Sequence, residues 1–319
     1  MAHRLAFLIF PGFQLLDAAG PIAAFEGASG LVPGAYALRV VAADPGLVRS
    51  SSGVALEAER WPRLDLIDTL LVAGGDGVDA ACRDRRVVER LRRARSRVPR
   101  LASVCSGALL LAEAGALAGK RATTHYCRVR QLSEQYPSVR VEPDSLWTRD
   151  GHVWTSAGIS AGIDLALALI SEDLGASVAR DVARHLVVYA QRPGSQPQRS
   201  ELLELGGGDS RFADLNAWMR GRLDRALSVG ALASRMKMSP RTFARSYVRE
   251  TGVTPAKAVE RLRLEAARGL LADGQTSLEH IAERTGFGDP ERMRRAFVRA
   301  FGAPPSALRP GAARALARA

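Results

Sequence analysis

One pattern occurs twice in the last third of this chain, so the chain must build the same small unit two times over. Residues 227–255 read LSVGALASRMKMSPRTFARSYVRETGVTP, and residues 276–305 read TSLEHIAERTGFGDPERMRRAFVRAFGAPP. Leu232-Ala233 matches Ile281-Ala282 at an offset of 49. Phe243, Tyr247, Gly252 and Pro255 match Met293, Phe297, Gly302 and Pro305 at an offset of 50, so the second copy holds one extra residue in its turn. Each copy reads as a short helix, a tight turn and a second helix rich in exposed arginine. That is the pattern of a helix-turn-helix, and its duplication points to double-stranded DNA.

In the first copy, residues 229–236 form the supporting helix, Ser239 is the N-cap and Pro240 takes the first helical position. The second helix is expected over about 241–250. Phe243 and Tyr247, four apart, face the core, while Arg241 and Arg245, also four apart, share the outer face. In the second copy Asp289 caps, Pro290 starts the helix, and Met293 and Phe297 turn inward. Glu291, Arg292, Arg294 and Arg295 are candidates for the outer face; Arg299, later in the helix, reads as a salt-bridged or solvent-facing residue. Arginines so placed reach guanine edges bidentately or grip phosphates. An amphipathic helix over residues 255–271 joins the copies, and a rigid connector would set two recognition helices into successive major grooves about one turn, roughly 34 Å, apart.

Charge agrees with this division. Of the net +12, residues 1–210 carry +1 and residues 211–319 carry +11, so the basic excess sits with the repeats, as a phosphate-binding surface requires. The three cysteines, Cys82, Cys105 and Cys127, make no disulfide framework, and no His/Cys spacing suggests zinc, so neither metal nor cofactor is expected. The opening MAHRLAFLIF lacks a secretion pattern, and no apolar run approaches the roughly 18 residues that span a membrane; a reduced cytoplasm is the expected compartment, with no membrane partner.

The first two thirds read differently. Apolar runs at residues 4–10, 36–43, 68–73 and 100–104 have the texture of strands, with helices expected over 15–28, 78–95, 106–114, 159–172 and 176–190. Residues 122–124 read as a short strand, and 146–148 and 153–155 as a hairpin around Arg149-Asp150-Gly151-His152. Strands alternating with helices imply an α/β domain with a mainly parallel sheet, followed by an all-α domain with two helix-turn-helix motifs. Residues 192–210 are rich in Pro, Gly and Ser and read as a flexible connector. The expected boundaries are 1–191 for the sheet domain, 192–212 for the linker, 213–309 for the DNA-binding domain and 310–319 for a frayed basic tail.

The helical domain resembles the AraC/XylS family of transcription regulators over about residues 213–309. The resemblance is carried by Ser239-Pro240-Arg241-Thr242-Phe243-Ala244-Arg245, Gly252-Val253-Thr254-Pro255, Arg263-Leu264-Glu265-Ala266-Ala267, Ile281-Ala282, Gly286-Phe287, Phe297 and Pro304-Pro305. It implies base contacts from Arg241, Ala244 and Arg245 in the first copy and from Glu291, Arg292, Arg294 and Arg295 in the second. Leu308-Arg309 departs from the family, where an aromatic often precedes the arginine; a packing change is expected.

In the sheet domain Cys105 is the sharpest residue. It lies between an apolar strand and a helix, in Ser103-Val104-Cys105-Ser106-Gly107, a turn that exposes a side chain at a helix N-terminus and favours thiolate. Gly74-Gly75, ending another strand, offers N–H donors beside it. Cys82 and Cys127 read as buried, inert cysteines. His125 could meet Cys105 or simply end a strand, and Asp17 could belong to the site or cap the helix near it.

This domain resembles the ThiJ/PfpI family, of amidotransferase-like, flavodoxin-like fold, across about residues 4–190. The carrying segments are Pro11-Gly12, Leu16-Asp17-Ala18-Ala19-Gly20-Pro21, Gly74-Gly75, Val104-Cys105-Ser106-Gly107-Ala108, Ala122-Thr123-Thr124-His125 and the run from Thr155 through Gly158-Ile159 to Asp164. The resemblance implies a ligand site at Asp17, Gly75, Cys105, Ser106, His125, Gly158 and Ile159. The family includes isonitrile hydratase, whose aspartate and cysteine match Asp17 and Cys105; in such an enzyme Cys105 attacks carbon and Asp17 moves protons. Three departures weigh against an enzyme. Ser106 stands where proteolytic members have His, and where the hydratase has Thr. His185-Leu186-Val187 lacks the acid of the amidotransferase His-x-Glu pair.

The pairing of such domains resembles a subfamily of one-component regulators, and Arg192-Pro193-Gly194-Ser195-Gln196-Pro197-Gln198 resembles its linker, with Arg199 replacing a common Phe. The expected partners are an operator DNA, a small-molecule effector, RNA polymerase and a second copy of the chain, and the expected role is activation. The alternatives are a hydratase or amidase fused to a DNA-binding module, and a covalent or redox sensor through Cys105.

Overall fold

The apolar runs of the first two thirds become the middle strands of an eight-stranded sheet. Ten strands are described: β1 (His3–Leu8), β2 (Tyr36–Ala42), β3 (Gly46–Arg49), β4 (Ala55–Arg60), β5 (Thr69–Val72), β6 (Arg100–Val104), β7 (Arg121–Ala122), β8 (Arg140–Val141), β9 (Trp147–Asp150) and β10 (Val153–Ser156). The main sheet has the order β3-β4-β2-β1-β5-β6-β10-β9; β7 and β8 pair separately. Its parallel run β2-β1-β5-β6-β10 is the 2-1-3-4-5 order of flavodoxin-like sheets, while β3 and β9 close the edges antiparallel. Side-chain alternation divides β1 between two cores. Leu5 and Phe7 pack with Phe25 and Ala28 on one face, and Ala6 and Leu8 with Leu91, Leu109 and Leu111 on the other. The first face is covered by α1 (Leu15–Leu31), α6 (Ala161–Leu174) and α7 (Ala176–His185). The second is covered by α2 (Val78–Arg83), α3 (Arg85–Ala94), α4 (Gly107–Glu113) and α5 (Val129–Gln135). The loops after β1, β5, β6 and β10 all open at the carboxyl ends of the strands, around the β1/β5 switch point where such sheets take ligands.

The computed structural model describes residues 2–189, 191–199, 205, 211–272 and 276–308. The chain divides into two units, Met1–Gly194 and Ser195–Ala319. The second unit contains α8 (Ala213–Arg220), α9 (Val229–Arg235), α10 (Pro240–Thr251), α11 (Pro255–Ala272), α12 (Leu278–Arg284), α13 (Pro290–Phe301) and a closing 3₁₀ turn, Pro305–Leu308. Helix α11 carries both copies. Ala258, Val259 and Leu262 enter a core with Leu232, Phe243 and Tyr247, and Leu264, Ala267 and Leu271 enter a second core with Ile281, Met293 and Phe297. In the first core Asn216 accepts a 2.7 Å bond from the Tyr247 hydroxyl and donates to the Leu205 carbonyl.

Several elements differ from the sequence expectation. The charged helix expected over 78–95 is two helices, because Asp84 takes extended backbone and its carboxylate caps α3 by accepting from the Arg86 N–H. The β3–β4 hairpin and α5 lack a strong apolar signal and were not expected. The strand expected at 122–124 is Arg121–Ala122, and Thr123 and Thr124 are freed for side-chain bonding. Helix α6 starts at Ala161 rather than at residue 159, since Ile159 has φ +51. Helix α7 ends at His185, and Val187 has φ +56. The segment expected to be flexible from 192 is held at its start. The Arg192 N–H and guanidinium bind Asp164, and the Gly194 carbonyl accepts from the Leu146 N–H at 2.8 Å. The remaining glycine-rich linker (206–210), the end of the expected helix at residue 190, Arg309 and the basic tail lie outside the described residues.

Candidate functional site

Cys105 follows the last residue of β6 and precedes α4, and its φ of +56 is a left-handed value that a non-glycine residue rarely holds. Neighbouring segments hold it there. Its N–H donates to the Ser156 carbonyl at 3.0 Å, and its carbonyl accepts from the Thr124 hydroxyl at 2.9 Å. Gly158 (φ +92) crosses so close that a Cβ there would overlap the Cys105 Cα and Cβ. Only glycine fits, for sterics and backbone angle together.

Asp17, on the first turn of α1, is fully buried. It does not cap its helix. One carboxylate oxygen accepts from the Ile159 N–H at 2.8 Å and the other from the Gly74 N–H at 3.1 Å, so Asp17 ties the β10 loop to the β5 loop. Ser106 fixes the next glycine: its hydroxyl accepts from the Gly75 N–H at 2.8 Å and donates to the Gly75 carbonyl at 3.1 Å. The two backbone donors expected to serve an oxyanion are therefore both engaged within the protein.

The electrostatics follow from burial. Asp17 is pushed up to about 6 by desolvation, against the pull of the Ile159 and Gly74 N–H groups. The Cys105 thiol is pushed up to about 12, chiefly by burial and then by the Asp17 charge. This corrects the expectation of a thiolate: the helix start behind Cys105 is outweighed by an apolar enclosure and a neighbouring anion. Asp17, Gly75, Cys105, Ser106, Gly158 and Ile159 thus converge at one crevice. His125 does not bond Cys105; its ring lies 4.4 Å from that of Tyr126, and its pKa is lowered by burial and then by Arg128. Gly74, already placed beside Cys105 by the sequence, belongs to the constellation, as do Thr124 and Ser156, which the sequence did not single out although both stand inside the segments that carry the resemblance. Cys127 is exposed rather than buried, and Cys82 is half-buried with its thiol pushed up to about 12 by burial.

A cavity of about 1320 Å³ indents the same unit elsewhere, lined by Arg63, Arg86, Arg90, Arg92 and Arg93 among others. Most of these guanidiniums already meet carboxylates: Arg63 with Asp65, Arg86 with Asp44 and Asp84, and Arg92 and Arg93 with Glu89. Chemistry at the strand ends, not cavity volume, marks the candidate site. Among the described residues no group of three His, Cys, Asp or Glu could hold a metal ion, and no helix is long and apolar enough to cross a membrane.

In the second unit the two copies are built alike down to their caps. Ser228 and Ser277 start the supporting helices, accepting from the Ala231 and His280 N–H groups. Ser239 and Asp289 start the second helices, accepting from the Thr242 and Arg292 N–H groups at 3.3 and 2.8 Å. Gly252 and Gly302 end them in left-handed conformation. The turns also correspond, with Lys237 (φ +54) matching Gly286 (φ +73). The extra residue of the second copy is Gly288, at φ +84, which absorbs the insertion before the cap. Phe243, Tyr247, Met293 and Phe297 are fully buried, and Arg241, Arg245, Glu291, Arg292, Arg294 and Arg295 are exposed, with Ala244 half-buried among them.

The outer faces differ. Glu291 holds Arg294 at 2.7 Å and approaches Arg295 at 3.9 Å, whereas Arg241 and Arg245 meet no carboxylate among the described residues. Arg299 pairs with Glu260 of α11 at 3.0 Å, the salt-bridged role expected for it.

A flavodoxin-like domain with a cysteine at its switch point, joined to a duplicated helix-turn-helix, defines a DNA-binding transcription regulator of the AraC type with a ligand-sensing domain. The chain belongs to the DJ-1/PfpI family, which it matches over residues 3–172, and it matches a helix-turn-helix domain family over residues 232–310. It is 29% identical to the HTH-type transcriptional regulator CdhR of Pseudomonas aeruginosa, over 96% of this chain and 91% of that one. It is 30% identical to the HTH-type transcriptional regulator GlxA of Rhizobium meliloti, over 96% and 95%. Isonitrile hydratase of Pseudomonas putida is 34% identical over 60% of this chain and 81% of the hydratase. In fold, the first unit is similar to a crystal structure of an AraC family transcriptional regulator from Pseudomonas putida, with TM-score 0.53 and 22% identity, covering 58% of this chain and 99% of that one.

Proposed function

We propose that this chain is a one-component activator that binds a small metabolite in the crevice at Asp17, Gly75, Cys105, Ser106, Gly158 and Ile159 and does not turn it over. We assign His125, next in the chain to the Cys105-bound Thr124, as a further contact. The reading rests on one observation: the groups an acyl- or carbon-attacking enzyme needs free are engaged. The Gly74 and Gly75 N–H groups bind Asp17 and Ser106, and the thiol is held in its neutral form by burial and by Asp17. Such a site binds and reports. Arg241, Ala244 and Arg245, with Glu291, Arg292, Arg294 and Arg295, form the DNA-reading faces, and α11 sets them for successive major grooves. In this reading the regulator works in the cytoplasm as a homodimer that contacts RNA polymerase, with residues 1–191 sensing and 213–309 reading DNA.

The test is the Cys105→Ala variant of the full chain. Operator binding is expected to equal that of wild type, and purified wild-type protein is expected to leave isonitriles and amides unconverted. Turnover of an isonitrile or amide that disappears in Cys105→Ala overturns the reading in favour of an enzyme. Loss of effector response with no turnover marks the crevice as a covalent sensor instead.

A further inference from the structure

The loop that lines Cys105 also holds the end of the first unit. Residues 157–160 leave β10 and enter α6. On one side Gly158 abuts Cys105, and the Ile159 N–H binds Asp17 at 2.8 Å. On the other side Ser160 accepts from Arg192 Nη2 at 2.9 Å, and the Ala157 N–H binds the Leu146 carbonyl at 2.7 Å. Both of those partners belong to a clamp on the chain's exit. Asp164, one turn into α6 and almost fully buried, accepts from the Arg192 backbone N–H at 2.7 Å, from its Nε at 3.0 Å and from its Nη2 at 2.7 Å. The indole N–H of Trp147 donates to the Arg192 carbonyl at 3.3 Å, and the Leu146 N–H donates to the Gly194 carbonyl at 2.8 Å. Gly194 is buried against Trp147, where a Cβ would overlap the Trp147 carbonyl. The very next residue belongs to the other unit, and the Ser195 carbonyl accepts from Arg268 of α11 at 2.6 Å.

We propose that residues 157–160 and the Arg192–Asp164 clamp form the regulatory relay of the sensor: occupation of the Cys105–Asp17 crevice displaces Gly158-Ile159, and the displacement loosens the grip of Ser160 and Asp164 on Arg192, releasing residues 192–194, the end of the first unit, from Leu146 and Trp147. This rests on the sensor reading above. Four features carry it. Ile159 holds a left-handed backbone (φ +51) maintained by its bond to Asp17, so a ligand competing for Asp17 releases a strained residue. Gly158 abuts the Cys105 backbone and Cβ with no room for even a methyl group, so a shift of Cys105 on ligand binding is passed to it. Ser160 is one residue on and bonds Arg192 directly. The buried Asp164 carboxylate depends on Arg192 for its charge partner, so the clamp has a defined closed state.

Coupling between two sites is reciprocal, so it can be read in both directions without knowing the effector. In full-length protein, Asp17→Ala should raise amide exchange at Leu146 and Arg192 at least tenfold, with the β1–β2 amides unchanged. In the other direction, Arg192→Ala should speed alkylation of Cys105 by iodoacetamide at least threefold, resolved from Cys82 and Cys127 by peptide mass. Arg192→Lys, which keeps the charge but lacks the fork, should give an intermediate rate and serves if Arg192→Ala does not fold. Exchange at Arg192 that stays at the wild-type rate in Asp17→Ala, or an unchanged Cys105 alkylation rate in both Arg192 variants, overturns the relay. Because neither readout uses effector or operator, the relay can fail while the crevice still senses. Equally, coupling can be present in a protein that proves to be an enzyme.

Discussion

The two functional regions treat their working side chains in opposite ways. At the sheet crevice the central groups are gripped: Asp17 by two backbone N–H groups, Ser106 by Gly75, and the Cys105 backbone by Ser156, Thr124 and the press of Gly158. On the recognition helices the scaffold is gripped and, in the first copy, the working arginines are not. Caps, aromatic anchors and left-handed glycines fix α10 and α13, while Arg241 and Arg245 project without a carboxylate partner among the described residues. Changes to the backbone packing of the crevice therefore cost stability, whereas the DNA faces can be rewritten at little cost. That asymmetry also exists in miniature between the two copies, since Glu291 already occupies Arg294 and approaches Arg295.

The sharpest way to break the comparison is Gly158→Ala. Its Cβ would overlap Cys105 at a φ of +92, and the first unit should lose about 3 kcal/mol or more in urea unfolding followed by tryptophan fluorescence. A loss within about 1 kcal/mol would show the crevice to be pliable.

Nearly as large is the effect of pH. Asp17 sits at about 6 when folded against 3.8 in its unperturbed form, so the native state binds the proton more tightly. Its contribution is fully present below the unfolded value and is lost as pH rises through about 6, on the order of 3 kcal/mol less stability at neutral pH than in acid. Asp17→Asn should flatten this window between pH 4 and pH 7 relative to wild type; parallel profiles would mean the carboxylate is solvated.

Arg245→Ala should weaken operator binding by about 1–3 kcal/mol with stability within about 0.5 kcal/mol of wild type. Arg294→Ala should cost less in binding shifts, because Arg294 must first leave Glu291. Equal losses would erase the distinction between copies, and a uniform loss on all DNA sequences would assign Arg245 to phosphate. The smallest effect falls on the caps. Ser239→Ala and Asp289→Ala should each lower stability by about 1 kcal/mol, Asp289 more, because its bond is shorter and its charge meets a helix N-terminus.

Legibility followed the range of the interactions involved. The duplicated motif was readable to the residue, because caps and anchors act over three or four positions: Ser239 with Thr242, Asp289 with Arg292, Phe243 with Tyr247. Even the insertion was visible as a change of offset, although only the backbone identified it as Gly288. The parallel sheet was readable from its apolar runs. Where local signals competed, the reading slipped. Asp84 broke a helix that periodicity carried through, and the β3–β4 hairpin lacked the buried texture of its neighbours. The end of the first unit was misjudged because Pro and Gly signal flexibility only where nothing binds them, and Asp164 binds Arg192.

By itself, then, the sequence determined that a mainly parallel α/β sheet with a turn cysteine is joined to two arginine-bearing helix-turn-helix units, because residue spacing and charge are local properties that any fold of the chain must respect. The tertiary structure alone decided what Cys105 can do. Burial and then the Asp17 charge push its thiol up, Asp17 engages the Gly74 N–H and the Ile159 N–H, 57 and 142 positions away, and Ser106 engages the Gly75 N–H. No spacing in the chain encodes those meetings, since burial and long-range hydrogen bonds exist only once the sheet has brought the strand ends together.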